Sequence, residues 1–209
     1  MKQQQKNSAM ISPGTALAML QKYGLSQSRI RHCRGVARFA YNLAHKIADT
    51  NPELAVNPEK VRIAGLLHDI GRYCDDNHEL RGVEILRAEG LHDIAEIIMH
   101  GSAYELSVLN GKENIALLPS TLENKIVAYA DARFRLEPVS LRDRIDEVKQ
   151  RRCDEPAKIR SVEMAIERFT QLENELLALA RKERGDRTAG GNSSPECNSR
   201  RLSSDKSTL

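Results

Sequence analysis

The sequence predicts an all-α protein: a helical bundle with a long packing helix near its C-terminal end. Three observations predict it. No stretch shows the two-residue alternation of a half-buried strand bounded by turn residues. Helix-start signals recur instead. Asn57 stands as an N-cap before Pro58, Asp76/Glu79 and Ser120/Glu123 have capping-box spacing, and Ser140/Asp143 resembles it. The chain has 209 residues, 40% of them hydrophobic, which is enough for one core and crowded for two.

Taken in order, residues 1–12 lack periodicity and read as a flexible start. Helices are expected at 15–23 and 28–49, the first stopped by Gly24. The next run from 58 to 70 and 77 to 89, the latter stopped by Gly90, and then from 92 to 100. Helices at 121–134 and 140–152 complete a domain spanning 13–152. The segment 153–184 carries the long helix, at 157–183. Ile159, Val162, Ile166, Phe169, Leu172, Leu176 and Leu179 recur there at steps of three and four. That stripe reads as packing against the domain more simply than as a homodimer contact. Residues 185–209 are rich in Ser, Gly and Arg, and read as a disordered tail.

Charge and composition narrow the function. Basic residues number 32 and acidic ones 29, too balanced for a protein that coats nucleic acid or a membrane. Trp is absent and aromatics are few, against a stacking surface for single strands. Direct nucleic-acid binding is therefore not expected. No apolar stretch is long enough to span a membrane, and the first ten residues lack a secretory core. Cys33, Cys74, Cys153 and Cys197 are scattered, without a C-x-x-C pair, so a disulfide framework is not expected and a reducing cytoplasm is.

Several polar residues lie where apolar ones belong. On the wheel of 28–49, His32 falls between Phe39 and Leu43, whereas His45 falls among charged residues. Ile63 to Leu67 are apolar all round, and His68-Asp69 follows at once. A carboxylate and an imidazole in such a place need a partner or a metal. His78 shares a side with Gly82, Ile85 and Leu86. His100 follows Ile97, Ile98 and Met99, and Asp131 lies between Val127 and Ala128 on its helix. Each alone could be a hydrogen-bonded core residue. Together, five helices deliver imidazoles or carboxylates inward, the ligand types of zinc, iron and manganese. A second doublet, His92-Asp93, begins a helix on its polar side, where Asp93 would simply favour the positive end of the dipole.

The ordered set His32, His68-Asp69, Asp131 resembles the HD-domain superfamily of metal-dependent phosphohydrolases. AGLLHDIGR looks like its HDIG variant. HCRGVARFAYNLA, HELRGVEILRAEG and IVAYADAR are similar to the segments carrying the first, an extra and the last ligand, and VSLRDRIDEV to the segment that follows in small HDIG proteins. The likeness covers about residues 25–150. It implies an all-α bundle holding divalent metal (Fe, Mn, Co, Mg or Zn). His32, His68, Asp69 and Asp131 match one site, and His78 and His100 match the added ligands of a second ion. Asp69 would bridge the ions beside an activated water, and Arg72, where many relatives have Lys, would hold substrate phosphate. Arg133 is a weaker candidate for a substrate contact. The Gly-Tyr-Pro segment of the cyclic-di-GMP branch is absent after His100. The implied activity is hydrolysis of a phosphate ester or anhydride of a nucleotide or small phosphorylated metabolite. The alternatives are an HD-type di-iron oxygenase and a non-catalytic metal-binding module.

Overall fold

The structure, a computed structural model, describes residues 11–73 and 78–181. Residues 1–10 of the expected flexible start, the Asp76 cap and the expected tail at 185–209 lie outside the described residues, and Ser12 caps the helix Pro13–Lys22.

The described residues form nine α-helices and no strand. α1 is Pro13–Lys22, α2 Gln27–Thr50, α3 Pro58–Leu67, α4 His78–Ala88 and α5 His92–Ala95. α6 is Ala103–Leu109, α7 Leu122–Ala132, α8 Leu141–Arg151 and α9 Pro156–Leu179. The caps follow local chemistry. Asn57 accepts from the Lys60 amide at 3.1 Å, and Ser140 from Asp143 at 3.0 Å. Gly24 and Gly90 end α1 and α4, both with a φ of 76°.

Three expectations are corrected. The helix at 92–100 stops at Ala95, and residues 97–100 form a buried non-helical segment. Asn124 on α7 donates to the carbonyls of Ile97 and Met99, at 3.1 and 2.7 Å, so these groups are satisfied without a helix. α6 was not foreseen; its buried Glu105 is gripped by Arg168 at 2.8 and 3.0 Å, a contact from a distant helix. The cap of α7 is Thr121, not Ser120; it accepts from the Asn124 amide at 3.1 Å.

α2 packs along α3, and α7 lies against both. Their closeness depends on Gly65, where an added Cβ would lie 2.8 Å from the Ala37 Cα. Val36, Ala40, Ala44, Ile63, Leu67 and Ile126 fill the space between them. α9 crosses α6, α7 and α8. Its buried face is Ser161, Ala165, Phe169, Leu172 and Leu176, so the expected stripe is rotated and Ile166 is exposed. No helix among the described residues is long and apolar enough to cross a membrane.

Candidate metal centre

α3 ends at Leu67, and its last turns place His68 and Asp69 at the centre of the bundle. The chain then tightens. Ile70 N donates to Leu67 O at 3.0 Å and Arg72 N to Asp69 O at 2.9 Å. Gly71 lets α4 begin against this turn, because a Cβ there would meet the His78 carbonyl at 2.2 Å. That approach sets His78 beside Asp69. α2 supplies His32, α7 supplies Asp131, and the 97–100 segment supplies His100.

All six sequence-chosen ligand residues converge. His32 Nε2 lies 3.0 Å from Asp131 Oδ1 and 4.0 Å from Asp69 Oδ2. His68 Nε2 lies 3.4 Å from Asp131 Oδ1 and 3.7 Å from Asp69 Oδ2. The other Asp69 oxygen, Oδ1, is 3.6 Å from His78 Nε2 and 3.5 Å from His100 Nε2. Two compact groups result, His32/His68/Asp131 and Asp69/His78/His100, and Asp69 faces both. Cys33 makes a further close group with His68 and Asp69, but burial pushes its thiol up.

The outer nitrogens show why a cation fits. His68 Nδ1 donates to Gly65 O at 2.8 Å, His100 Nδ1 to Ile98 O at 2.8 Å, and His32 Nδ1 to Arg135 O at 3.2 Å. His78 Nδ1 faces Glu79 Oε2 at 3.1 Å. Carbonyls and carboxylates only accept, so each Nδ1 holds a proton, and such a ring in its neutral form turns a bare Nε2 lone pair inward. Those lone pairs face one another and two carboxylates. His68 Nε2 is buried with no hydrogen-bond partner, and His78 Nε2 and His100 Nε2 are only 3.3 Å apart. Such a donor set fits one or two divalent cations, which accept lone pairs from several sides.

The metal-free electrostatics carry the same demand. Burial alone would lower the His100 pKa, but Asp69, Asp131 and Glu79 outweigh it and raise it to about 9. Burial and the charge of His100 push His78 down to about 2. Without metal the facing pair thus carries one charge, with a single proton between the two Nε2 atoms. Burial opposes ionisation of Asp69, yet His68, His100 and Arg72 hold it well below the usual carboxylate range. Burial is likewise overcome at Asp131, which the adjoining His32 and His68 imidazoles hold well below the usual carboxylate range.

Arg72 reaches Asp69 Oδ1 through Nε at 2.8 Å, and Arg29 reaches Oδ2 at 3.2 Å. Arg72 also lines a cavity of about 490 Å³, with His78, His100 and Asp131 at its floor. Arg133 turns away: it bonds Tyr129, Glu173 and the Val139 carbonyl, and holds α7 to α9. His92 and Asp93 are exposed and outside the cluster. Sequence reasoning missed Arg29, Glu79 and Asn124. Glu79 was visible only as a capping partner, and Arg29 only as one of many arginines on α2.

The HD-domain family profile matches residues 29–136, a little over half of the chain. An uncharacterised protein of Methanocaldococcus jannaschii is 39% identical over 113 residues, covering 51% of this chain and 66% of that protein. A tRNA (cytidine(56)-2'-O)-methyltransferase of Thermoplasma volcanium is 35% identical over 125 residues, covering 56% of this chain and 35% of the enzyme. Ribonuclease Y of Thermosipho melanesiensis is 39% identical over 98 residues, covering 45% of this chain and 17% of that protein. The chain thus spans less than two thirds of each of these relatives. No solved structure gave a significant match. The matched span contains every residue of the converging cluster, and the chain belongs to the HD-domain superfamily.

Proposed function

We propose that this protein is a metal-dependent phosphohydrolase with a two-ion centre, acting on a phosphate ester or anhydride of a nucleotide or small phosphorylated metabolite. One observation carries the reading: Asp69 faces both ligand groups, beside a cavity lined by His78, His100, Asp131 and Arg72. When bound, divalent ions supply Lewis acidity and a water that ionises near neutral pH. The chain's own part is positional. His32, His68 and Asp131 would hold one ion, His78 and His100 the other, and Asp69 would bridge them. The Nδ1 bonds to Gly65, Ile98 and Arg135 keep the imidazoles from turning. Arg72 stays charged and offers a planar fork to phosphate oxygens, which stabilises the negative charge that develops in the transition state.

The cavity is of a size that suits a small ligand, which supports a nucleotide-sized substrate. A relative named as a ribonuclease supports phosphodiester chemistry. The test is metal-dependent release of p-nitrophenol from bis(p-nitrophenyl) phosphate, followed by a phosphate-release screen over nucleotides and sugar phosphates. Turnover with manganese, iron or cobalt, abolished by chelator and by Asp69→Ala, is expected. Protein that binds metal but releases nothing from any of these would overturn the reading.

A further inference from the structure

The cavity is not lined by the metal cluster alone. Its other wall is α8, which packs on α9, whereas the ligands come from α2, the α3 end, α4, the 97–100 segment and α7. Arg144, Val148 and Arg151 lie four and three residues apart, so they form one face of α8, and all three line the cavity with Arg152. α8 has no buried residue, so this face is not spent on the core. Charged helix faces are usually turned to solvent; this one lines a half-open cavity.

We propose that Arg144, Arg151 and Arg152 form a second phosphate subsite, so that the substrate carries a second anionic group in addition to the one held at the metal centre. This rests on the phosphohydrolase reading above. The charges on this wall are under-compensated. Arg144 and Arg151 share the single carboxylate of Glu147, the latter at 3.3 Å, and Glu155 is shared by Arg152 and Lys158. Burial depresses the basicity of Arg151; Glu147 opposes this, but Arg144, Arg152 and Arg72 add to the depression. Arg151 therefore senses Arg72 as well as its own neighbours, and a dianion in the cavity would relieve both ends. Leu106, Ile145, Val148, Val162, Ala165 and Phe169 supply the apolar lining for a body joining the two anions, in a cavity of about 490 Å³. Arginine forks match phosphate oxygens bidentately, and a phosphate, with three free oxygens and up to two charges, can engage more than one of them at once.

The test compares adenosine 3′,5′-bisphosphate with adenosine 5′-monophosphate on manganese-loaded protein by calorimetry, with ligand integrity checked by chromatography. If either ligand is turned over, KM replaces Kd in the same comparison. The bisphosphate should bind at least about tenfold more tightly, the range of a charge-assisted hydrogen bond. Arg144→Gln with Arg151→Gln should erase that preference while leaving manganese content unchanged. Equal affinities in the wild type, or a preference that survives both substitutions, would overturn the subsite. Bis(p-nitrophenyl) phosphate hydrolysis on the same samples separates the two readings, because that probe has one negative charge. Hydrolysis without a bisphosphate preference removes the subsite alone. A preference without hydrolysis of any phosphate substrate removes the phosphohydrolase reading and leaves an anion-binding cavity.

Discussion

At the scale of single residues, the position of each Nε2 is set by what its ring does on the other side. His100 depends most on distant help, because its segment is not helical. Asn124 ties the Ile97 and Met99 carbonyls, and Arg168 donates to Gly101 O at 2.9 Å. Asn124→Ala would leave two buried carbonyls without that donor, at a cost of about 1–3 kcal/mol in urea unfolding. Affinity for one of two ions should fall more than for the other, since only His100 rides on this segment; equal weakening of both would contradict the assignment. Arg72→Ala should lower phosphate-substrate turnover by about 10²-fold or more, as loss of a transition-state donor does, with metal content retained. If metal is lost in step with activity, Arg72 instead maintains the Asp69 position. The converging His and Asp residues were legible in the sequence because imidazoles and carboxylates on apolar helix faces are costly without partners. Glu79, Arg29 and Asn124 were not, because charged or amide residues near helix starts and on polar faces look like ordinary solvated groups.

At the scale of elements, helices with strong caps and long apolar periods were readable, and the short ones were not. α2 and α3 were predicted almost to their ends, since Asn57-Pro58 and an uninterrupted apolar face act locally. The 97–100 segment and α6 depend on partners far along the chain, Asn124 and Arg168, which no local pattern announces. The same holds for the rotation of α9: the small Ser161 and Ala165 face the domain, and bulky Ile166 does not. Close approach of α2 and α3 gives a direct test. Gly65→Ala should destabilise the protein by about 1–3 kcal/mol by overpacking against Ala37 backbone. An unchanged urea midpoint would show that the two helices separate at no cost.

At the scale of the whole molecule, the candidate metal centre is the junction of the bundle. α2, the α3 end, α4, the 97–100 segment and α7 all send a side chain to it, so a ligand that holds the cluster also holds these elements together. Metal should therefore stabilise the fold. At free metal about 100-fold above Kd, one site adds about 2.7 kcal/mol, which for a chain of this size raises Tm by roughly 5–10 °C. Chelation should lower Tm by that amount in the wild type and leave Asp69→Ala unmoved; a wild-type Tm indifferent to chelator would contradict a metal held by these elements. The measurement that bears most directly on the two-ion centre is stoichiometry. Oxygen-free titration of apoprotein with manganese or cobalt should show two ions per chain. That number should fall to one in His78→Ala with His100→Ala, to none in Asp69→Ala, and stay at two in His92→Ala. A wild-type stoichiometry of one with full phosphate release, or equal loss in the Asp69 and His92 variants, would contradict the account.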